Sequence, residues 1–345
     1  LMLLTRTTRV VNVDIWNIWH FAFTGALVNL ATGSFAWGIA GVVIHSVLAY
    51  KFGDWFAPVV KEYYELDGIA VPHGTSAYMG PVAVPIDWAL GRIPGVRDIN
   101  INTDAIERRF GALGEPMVIG AILGCLIGGL AGYDLKGLLT LGIQMAAVMI
   151  LMPKVVKCIM EGLIPISEAA RASLQRRFSG GSFYIGLDPA ILLGDSQVIS
   201  AGLIFVPLTI VIAILMPGNE VLPFGDLATI GFFIAMAVGI HKGNLFRTLV
   251  SGTAIMIITI WIANQTIALN TMLAKSVGSS LIVDGATRIA SLDQGGSPIT
   301  YLLTQALGVM NVKGFIVIGV VYAFCVVFTA LIYRSRAARK AAAAE

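Results

Sequence analysis

Long apolar runs, repeatedly broken by Gly, Pro and acidic residues, constrain this chain more than any other feature. A helix needs about 20 apolar residues to cross the hydrocarbon core of a bilayer. Runs at 117–133, 135–152, 201–216, 227–240, 249–269 and 315–333 approach or reach that length. An earlier stretch, 18–50, is interrupted by Asn29 and by Thr32, Gly33 and Ser34, and reads as one span plus a shorter hairpin arm. Charged residues make up 12% of the 345, against roughly a quarter in soluble domains. Mean hydropathy is +0.83. A soluble globule would lack the polar groups to coat its surface, and a disordered chain has the opposite composition. Lys and Arg exceed Asp and Glu by 23 to 20, too small and scattered a surplus for a nucleic-acid footprint. The composition defines an all-α, polytopic integral membrane protein embedded in the lipid bilayer.

Cys125, Cys158 and Cys325 lie in or beside apolar runs, with no CxxC or His-paired spacing. They read as small buried hydrophobes and imply neither disulfides nor thiol chemistry. No P-loop, dinucleotide-binding glycine pattern or zinc spacing is present, so no cofactor and no metal is expected. The chain starts at Leu1, and residues 1–4 read like the last turn of an apolar helix, so a further membrane segment is expected ahead of it.

Basic residues favour the cytoplasmic side. Lys154, Lys157, Arg171, Arg176 and Arg177 cluster on one connection, Lys242 and Arg247 on another, and Arg334, Arg336, Arg339 and Lys340 in the tail. Pairs of spans separate these clusters, which puts all three on one face and the basic tail, 334–345, in the cytoplasm. In the connection 154–178, Val155, Ile159, Leu163 and Ile166 recur at helical spacing, as in an amphipathic helix on the inner membrane surface. A docking face for a cytosolic partner is the alternative use of that helix.

Four segments are too apolar for water yet too rich in Gly, Pro, Asp and Asn for a plain helix. They are 68–78, 186–197, 217–226 and 291–298. Each is either a polar loop at the surface or a re-entrant or broken helix at membrane depth, where irregular backbone must be buried in protein or line a wet cavity. Four of them flanked by short apolar arms favour the second, with a polar substrate site where they meet. His73, between Pro72 and Gly74, is a structural histidine or a ligand and proton-transfer group. Asp188, Asp226 and Asp293 are the acids expected to face the cavity, because intramembrane carboxylates are costly unless paired or in use. On residues alone, an ion-coupled secondary transporter of a small polar solute fits as well as any other carrier.

Five strings carry a resemblance: RVVNVDIWNIWH at 9–20, PHGTSAYMGP at 72–81, LPFGDLATIGFF at 222–233, GNLFR at 243–247 and SLDQGGSPIT at 291–300. Together they resemble the galactitol-specific membrane (IIC) components of the bacterial phosphoenolpyruvate-dependent phosphotransferase system, in the ascorbate–galactitol superfamily. The resemblance implies a permease taking galactitol across the inner membrane and releasing galactitol 1-phosphate. The phosphoryl group would come from a phosphocysteine on a cytosolic IIB protein, charged in turn by IIA. It also implies a homodimer in which a core transport domain slides against a scaffold domain, as an elevator, and a further N-terminal segment. By the same resemblance His73, Gly74 and Thr75 form one hairpin tip, and Asp188, Phe224, Gly225, Asp226, Asp293 and Gln294 complete the substrate cavity. A carboxylate or histidine taking the substrate hydroxyl proton is expected, Asp226 first and His73 second.

Overall fold

A computed structural model describes residues 2–101, 116–177, 183–221, 223, 226, 229–278, 288–308 and 311–342. Ten α-helices occur among the described residues. They are α1 (Ile15–Thr32), α2 (Phe35–Tyr64), α3 (Ser76–Leu90), α4 (Pro116–Leu130), α5 (Leu135–Arg177), α6 (Ser196–Leu215), α7 (Ile230–Ile240), α8 (Leu245–Val277), α9 (Pro298–Leu307) and α10 (Val312–Ala342). Helices α2, α6 and α8, and Val312–Ser335 of α10, are long and apolar enough to cross a membrane. The chain is a polytopic membrane protein, mostly helical.

The break expected within 18–50 falls at Gly33, whose φ of 66° is left-handed and whose N–H closes α1 on the Asn29 carbonyl at 2.8 Å. Glycine takes this conformation without the Cβ penalty. The two helices then pack closely: a methyl group at Gly25 would lie 2.4 Å from Val42 Cγ2. Helix α4 carries Gly120, Gly124 and Gly128 at four-residue spacing, the small-residue stripe that lets membrane helices approach. A methyl on Gly124 would meet the Leu141 carbonyl of α5 at 2.7 Å. Helix α5 runs unbroken for 43 residues, about 65 Å, so the connection 154–177 continues the helix begun at 135. Lys154 and Val155 are exposed there, while Ile159, Leu163 and Ile166 have side chains outside those described.

The run 227–240 is not a span. Its helix, α7, has 11 residues, about 16 Å long, half of a hydrocarbon core. It is buried from Phe233 through Gly239, so its uniform apolarity reflects protein on all sides rather than lipid. Helices α3 and α9, with 15 and 10 residues, are also too short to cross. These three half-helices start in or directly after interrupted segments. Helix α3 contains Pro81 and Pro85. Pro85 has no N–H for the Pro81 carbonyl, which instead accepts from Thr329 Oγ1 of α10 at 3.4 Å.

One feature departs from an all-α chain. Val10–Asn12 (β1), Ile69–Ala70 (β2) and Tyr184–Gly186 (β3) form a parallel sheet in the order β1-β3-β2, with Val10 opposite Tyr184 and Ile69 opposite Ile185. Backbone bonds such as Ile185 N to the Gly68 oxygen (2.8 Å) and Leu187 N to the Ala70 oxygen (3.0 Å) satisfy chain that no helix serves. Segments this short carry no visible period-2 pattern, which is why the sequence shows helices alone. Parallel strands release their chains at one end. The sheet therefore delivers α1, the His73 loop and the Asp188 loop side by side.

Candidate functional site

A cavity of about 370 Å³ opens where those three chains emerge, lined by Trp16, Trp19, His20, His73, Asp188, Ala190, Phe232, Asp293 and Gln294. It lies at the carboxyl ends of the parallel strands, the edge at which ligands bind in other parallel sheets. Residue Phe232 comes from the first turn of α7, and Asp293 and Gln294 from the segment leading into α9. Ser76 Oγ at the start of α3 donates to the Phe232 carbonyl. Ser297 caps α9, accepting from Thr300 N at 3.3 Å.

Two histidines and two carboxylates cross at the centre. His73 Nε2 is 3.5 Å from Asp188 Oδ2, and His20 Nε2 is 3.3 Å from Asp293 Oδ1. The imidazoles of His20 and His73 meet edge to face, centroids 4.2 Å apart. Both rings are buried, while the Asp188 and Asp293 side chains keep 16% and 29% of their exposure. The carboxylates, rather than the imidazoles, are what the cavity presents.

His73 has its tautomer set locally. Its Nδ1 accepts from the Thr75 backbone N–H at 3.3 Å and lies 2.8 Å from Thr75 Oγ1. A backbone N–H can only donate, so the lone pair is on Nδ1 and the proton on Nε2, toward Asp188. Asp188 is itself held: its Oδ1 accepts from Ala190 N at 2.8 Å, and its own N–H donates to Asp14 Oδ2 at 3.2 Å. Asp14 also caps α1 through Trp16 N, joining that helix to the Asp188 loop.

The structure brings together His73, Gly74, Thr75, Asp188, Asp293 and Gln294. Gly74 contributes space: a methyl there would lie 2.2 Å from His20 Nδ1. Thr75 is fully buried and braces His73. Asp226 is not among the lining residues; its Oδ2 accepts from Leu292 N at 3.0 Å and holds the Asp293 segment in place. Phe224 and Gly225 lie outside the described residues. Asp195 caps α6 through Gln197 and Val198, and Glu220 pairs with Arg288 away from the cavity. Among the described residues no group of His, Cys, Asp and Glu is placed to hold a metal ion.

Sequence reasoning missed the α1 face. Trp16, Trp19 and His20 stand at i, i+3 and i+4, one side of a helix, and the spacing is visible once the helix start at Asp14 is recognised. His45, one helix away, is fully buried and tied through Nδ1 to Thr24 Oγ1 (2.7 Å), which in turn meets Thr300 Oγ1 (2.8 Å). That network fastens α1 and α2 to the start of α9.

A second cavity, about 590 Å³, lies at the opposite ends of α3 and α7 and includes Asp87, Trp88, Arg92, Lys242 and Arg247. There Asp87 Oδ1 receives His241 Nδ1 at 3.0 Å and the Arg247 guanidinium at 2.8 Å.

Half-helices meeting at a cavity of carboxylate, amide and tryptophan, within a bundle of apolar spans, define a membrane carrier for a small polar solute. Comparison with known proteins narrows the class. The family EIIC-GAT, described as PTS system sugar-specific permease component, matches residues 1–285, and the chain belongs to that family. It is 60% identical over 321 residues to the PTS system galactitol-specific EIIC component of Escherichia coli strain K12, spanning 93% of this chain and 70% of the relative. The protein of the same description from E. coli O157:H7 matches to the same extent.

Proposed function

We propose that this permease carries galactitol across the bacterial inner membrane and hands it to a phosphorylated IIB partner, releasing galactitol 1-phosphate inside. The observation that carries the reading is the pairing of His73 with Asp188 and His20 with Asp293 around one cavity. A linear polyol offers hydroxyls, each a donor and an acceptor. Two carboxylates and the Gln294 amide answer both needs, and the tryptophans cover the C–H edge.

The chemistry follows from where the lone pairs are. A substrate hydroxyl oxygen attacks the phosphorus of the phosphocysteine on IIB. The O–P bond forms as the S–P bond breaks, the thiolate stays on IIB, and the hydroxyl proton passes to a carboxylate. Asp293 suits that proton better than Asp226, whose oxygen is engaged by the Leu292 N–H, or His73, whose lone pair is engaged by the Thr75 N–H. Asp226 then acts by positioning the 291–294 segment. Gly74 and Thr75 shape the tip that holds His73.

The same reading makes the protein a homodimer whose core, carrying α3, α7 and α9, moves against a scaffold as an elevator. The basic connection 154–178 and tail 334–345 face the cytoplasm, where IIB and IIA act. The test uses full-length protein in membrane vesicles with labelled galactitol, the cytosolic phosphotransferase proteins, and all ion gradients collapsed. Galactitol phosphate should accumulate only when phosphoenolpyruvate is supplied. Uptake of unmodified galactitol without phosphoenolpyruvate, appearing only when an ion gradient is restored, overturns the reading and makes Asp188 and Asp293 candidates for ion coupling.

A further inference from the structure

Two buried atoms at the site have no hydrogen-bond partner among the described residues, and they belong to one residue pair: His20 Nδ1 and Asp293 Oδ1. The His20 side chain is 2% exposed, and its Nδ1 is pressed against Gly74, where a methyl would lie 2.2 Å away. A proton on Nδ1 would be a donor buried with no acceptor. Orphaned N–H groups are rarer in native proteins than under-satisfied acceptors. The proton therefore belongs on Nε2, which lies 3.3 Å from Asp293 Oδ1 but outside hydrogen-bond alignment. Hydrogen bonds between groups that handle substrate tighten when it binds.

The neighbouring donors are committed elsewhere. His73 sends Nε2 toward Asp188, His45 engages Thr24 through Nδ1, and Gln294 Nε2 donates to the other oxygen of Asp293 at 3.3 Å. Among the described residues, His20 is thus the ring donor that faces Oδ1.

We propose that His20 is a positioning residue of the transport site. Its proton, fixed on Nε2 by the Gly74 contact, keeps the Asp293 side chain turned into the cavity, ready to accept from a substrate hydroxyl. The inference rests on Asp293 as the acceptor under the function proposed above. It gives α1 a direct part in substrate handling, with Trp16 and Trp19 on the same face.

The experiment uses the full-length protein in detergent, with galactitol binding measured calorimetrically and without any cytosolic component. His20→Ala should weaken binding by about tenfold or more, the scale of a lost hydrogen bond to a charged group. His20→Gln, whose terminal amide reaches the Nε2 position, should recover most of that loss. His20→Asn, whose amide reaches only the Nδ1 position, should not. In an Asp293→Asn background, His20→Ala should cost less than about threefold. Equal losses for Gln and Ala, or a full cost in the Asp293→Asn background, overturn the proposal.

A second readout needs no ligand. Nitrogen-15 spectra of histidine-labelled protein, with His20 identified from the His20→Gln variant, should show the His20 proton on Nε2 and the lone pair on Nδ1. A ring protonated at Nδ1 overturns the proposal. If wild-type protein fails to bind galactitol, the substrate reading falls, and the tautomer still decides the role of His20.

Discussion

The closest approach in the site makes Gly74→Ala its most informative substitution. A methyl group there would lie 2.2 Å from Nδ1, 2.9 Å from Cε1 and 3.0 Å from Cγ of His20. Comfortable contacts begin near 3.5 Å, so the imidazole must retreat by roughly 1 Å. It has little room to do so: the ring of His73 meets it edge to face at 4.2 Å, and the side chain is almost fully enclosed. Gly74 is not in the left-handed region, so alanine adds no backbone strain and the effect comes from this collision.

Overpacking of this kind costs about 1–3 kcal/mol. Moving Nε2 away from Asp293 removes a charge-assisted contact of about 1.5–3 kcal/mol. Gly74→Ala should therefore lower the unfolding temperature and weaken galactitol binding by about 10- to 100-fold, read by thermal unfolding and by titration of the purified protein. In a His20→Ala background the collision disappears, and the added stability cost should fall below about 0.5 kcal/mol. A variant that binds like wild type, or that loses as much without the His20 ring, would refute the packing argument.

Other substitutions test neighbouring parts of the design. Asp226→Asn weakens the hold on Leu292 N and should raise the galactitol Kd several-fold, on the order of 1 kcal/mol, while single-turnover phosphorylation of bound substrate is preserved. Asp293→Asn should weaken galactitol binding and also lower single-turnover phosphorylation of bound substrate in the same two assays. Thr75→Val removes the hydroxyl beside His73 Nδ1 but keeps the backbone donor, so binding should weaken by only about 1 kcal/mol. Asp87→Asn leaves Arg247 and His241 with a neutral partner and should cost about 2–4 kcal/mol of stability, read as a lower unfolding temperature without loss of the site's selectivity among polyols. Gly124→Leu would drive a side chain into the Leu141 carbonyl of α5 and should destabilise the α4–α5 hairpin by at least about 1–3 kcal/mol.

What the sequence made legible follows from what has a local signature. Apolar runs mark the helices other than α3 and α9, and Gly33 marks the break between α1 and α2, because span length and turn chemistry are written in consecutive residues. The half-helix α7 has the sequence of a span, since lipid and protein interior impose the same apolarity on Ile230–Ile240, and only the three-dimensional neighbours tell them apart. The sheet stayed hidden because strands of two or three residues show no periodicity, although it sets the site by placing His20, His73 and Asp188 at one edge.

Asp226 shows the same limit at the level of a single side chain. Its sequence setting beside Gly225 in an interrupted segment is indistinguishable from that of Asp293, yet one carboxylate faces a backbone N–H and the other faces the cavity. An intramembrane acid must be paired or in use, and sequence cannot say which. The distinction lies in Leu292 N, 66 positions away in the chain and 3.0 Å away in space. Pairing of this kind explains why a site of few residues needs so many polar ones behind it. Asp14, Thr75, Asp226, Ser297 and the Thr24–His45–Thr300 chain each satisfy a backbone or ring donor, leaving Asp188, Asp293 and Gln294 as the groups with capacity left for a ligand.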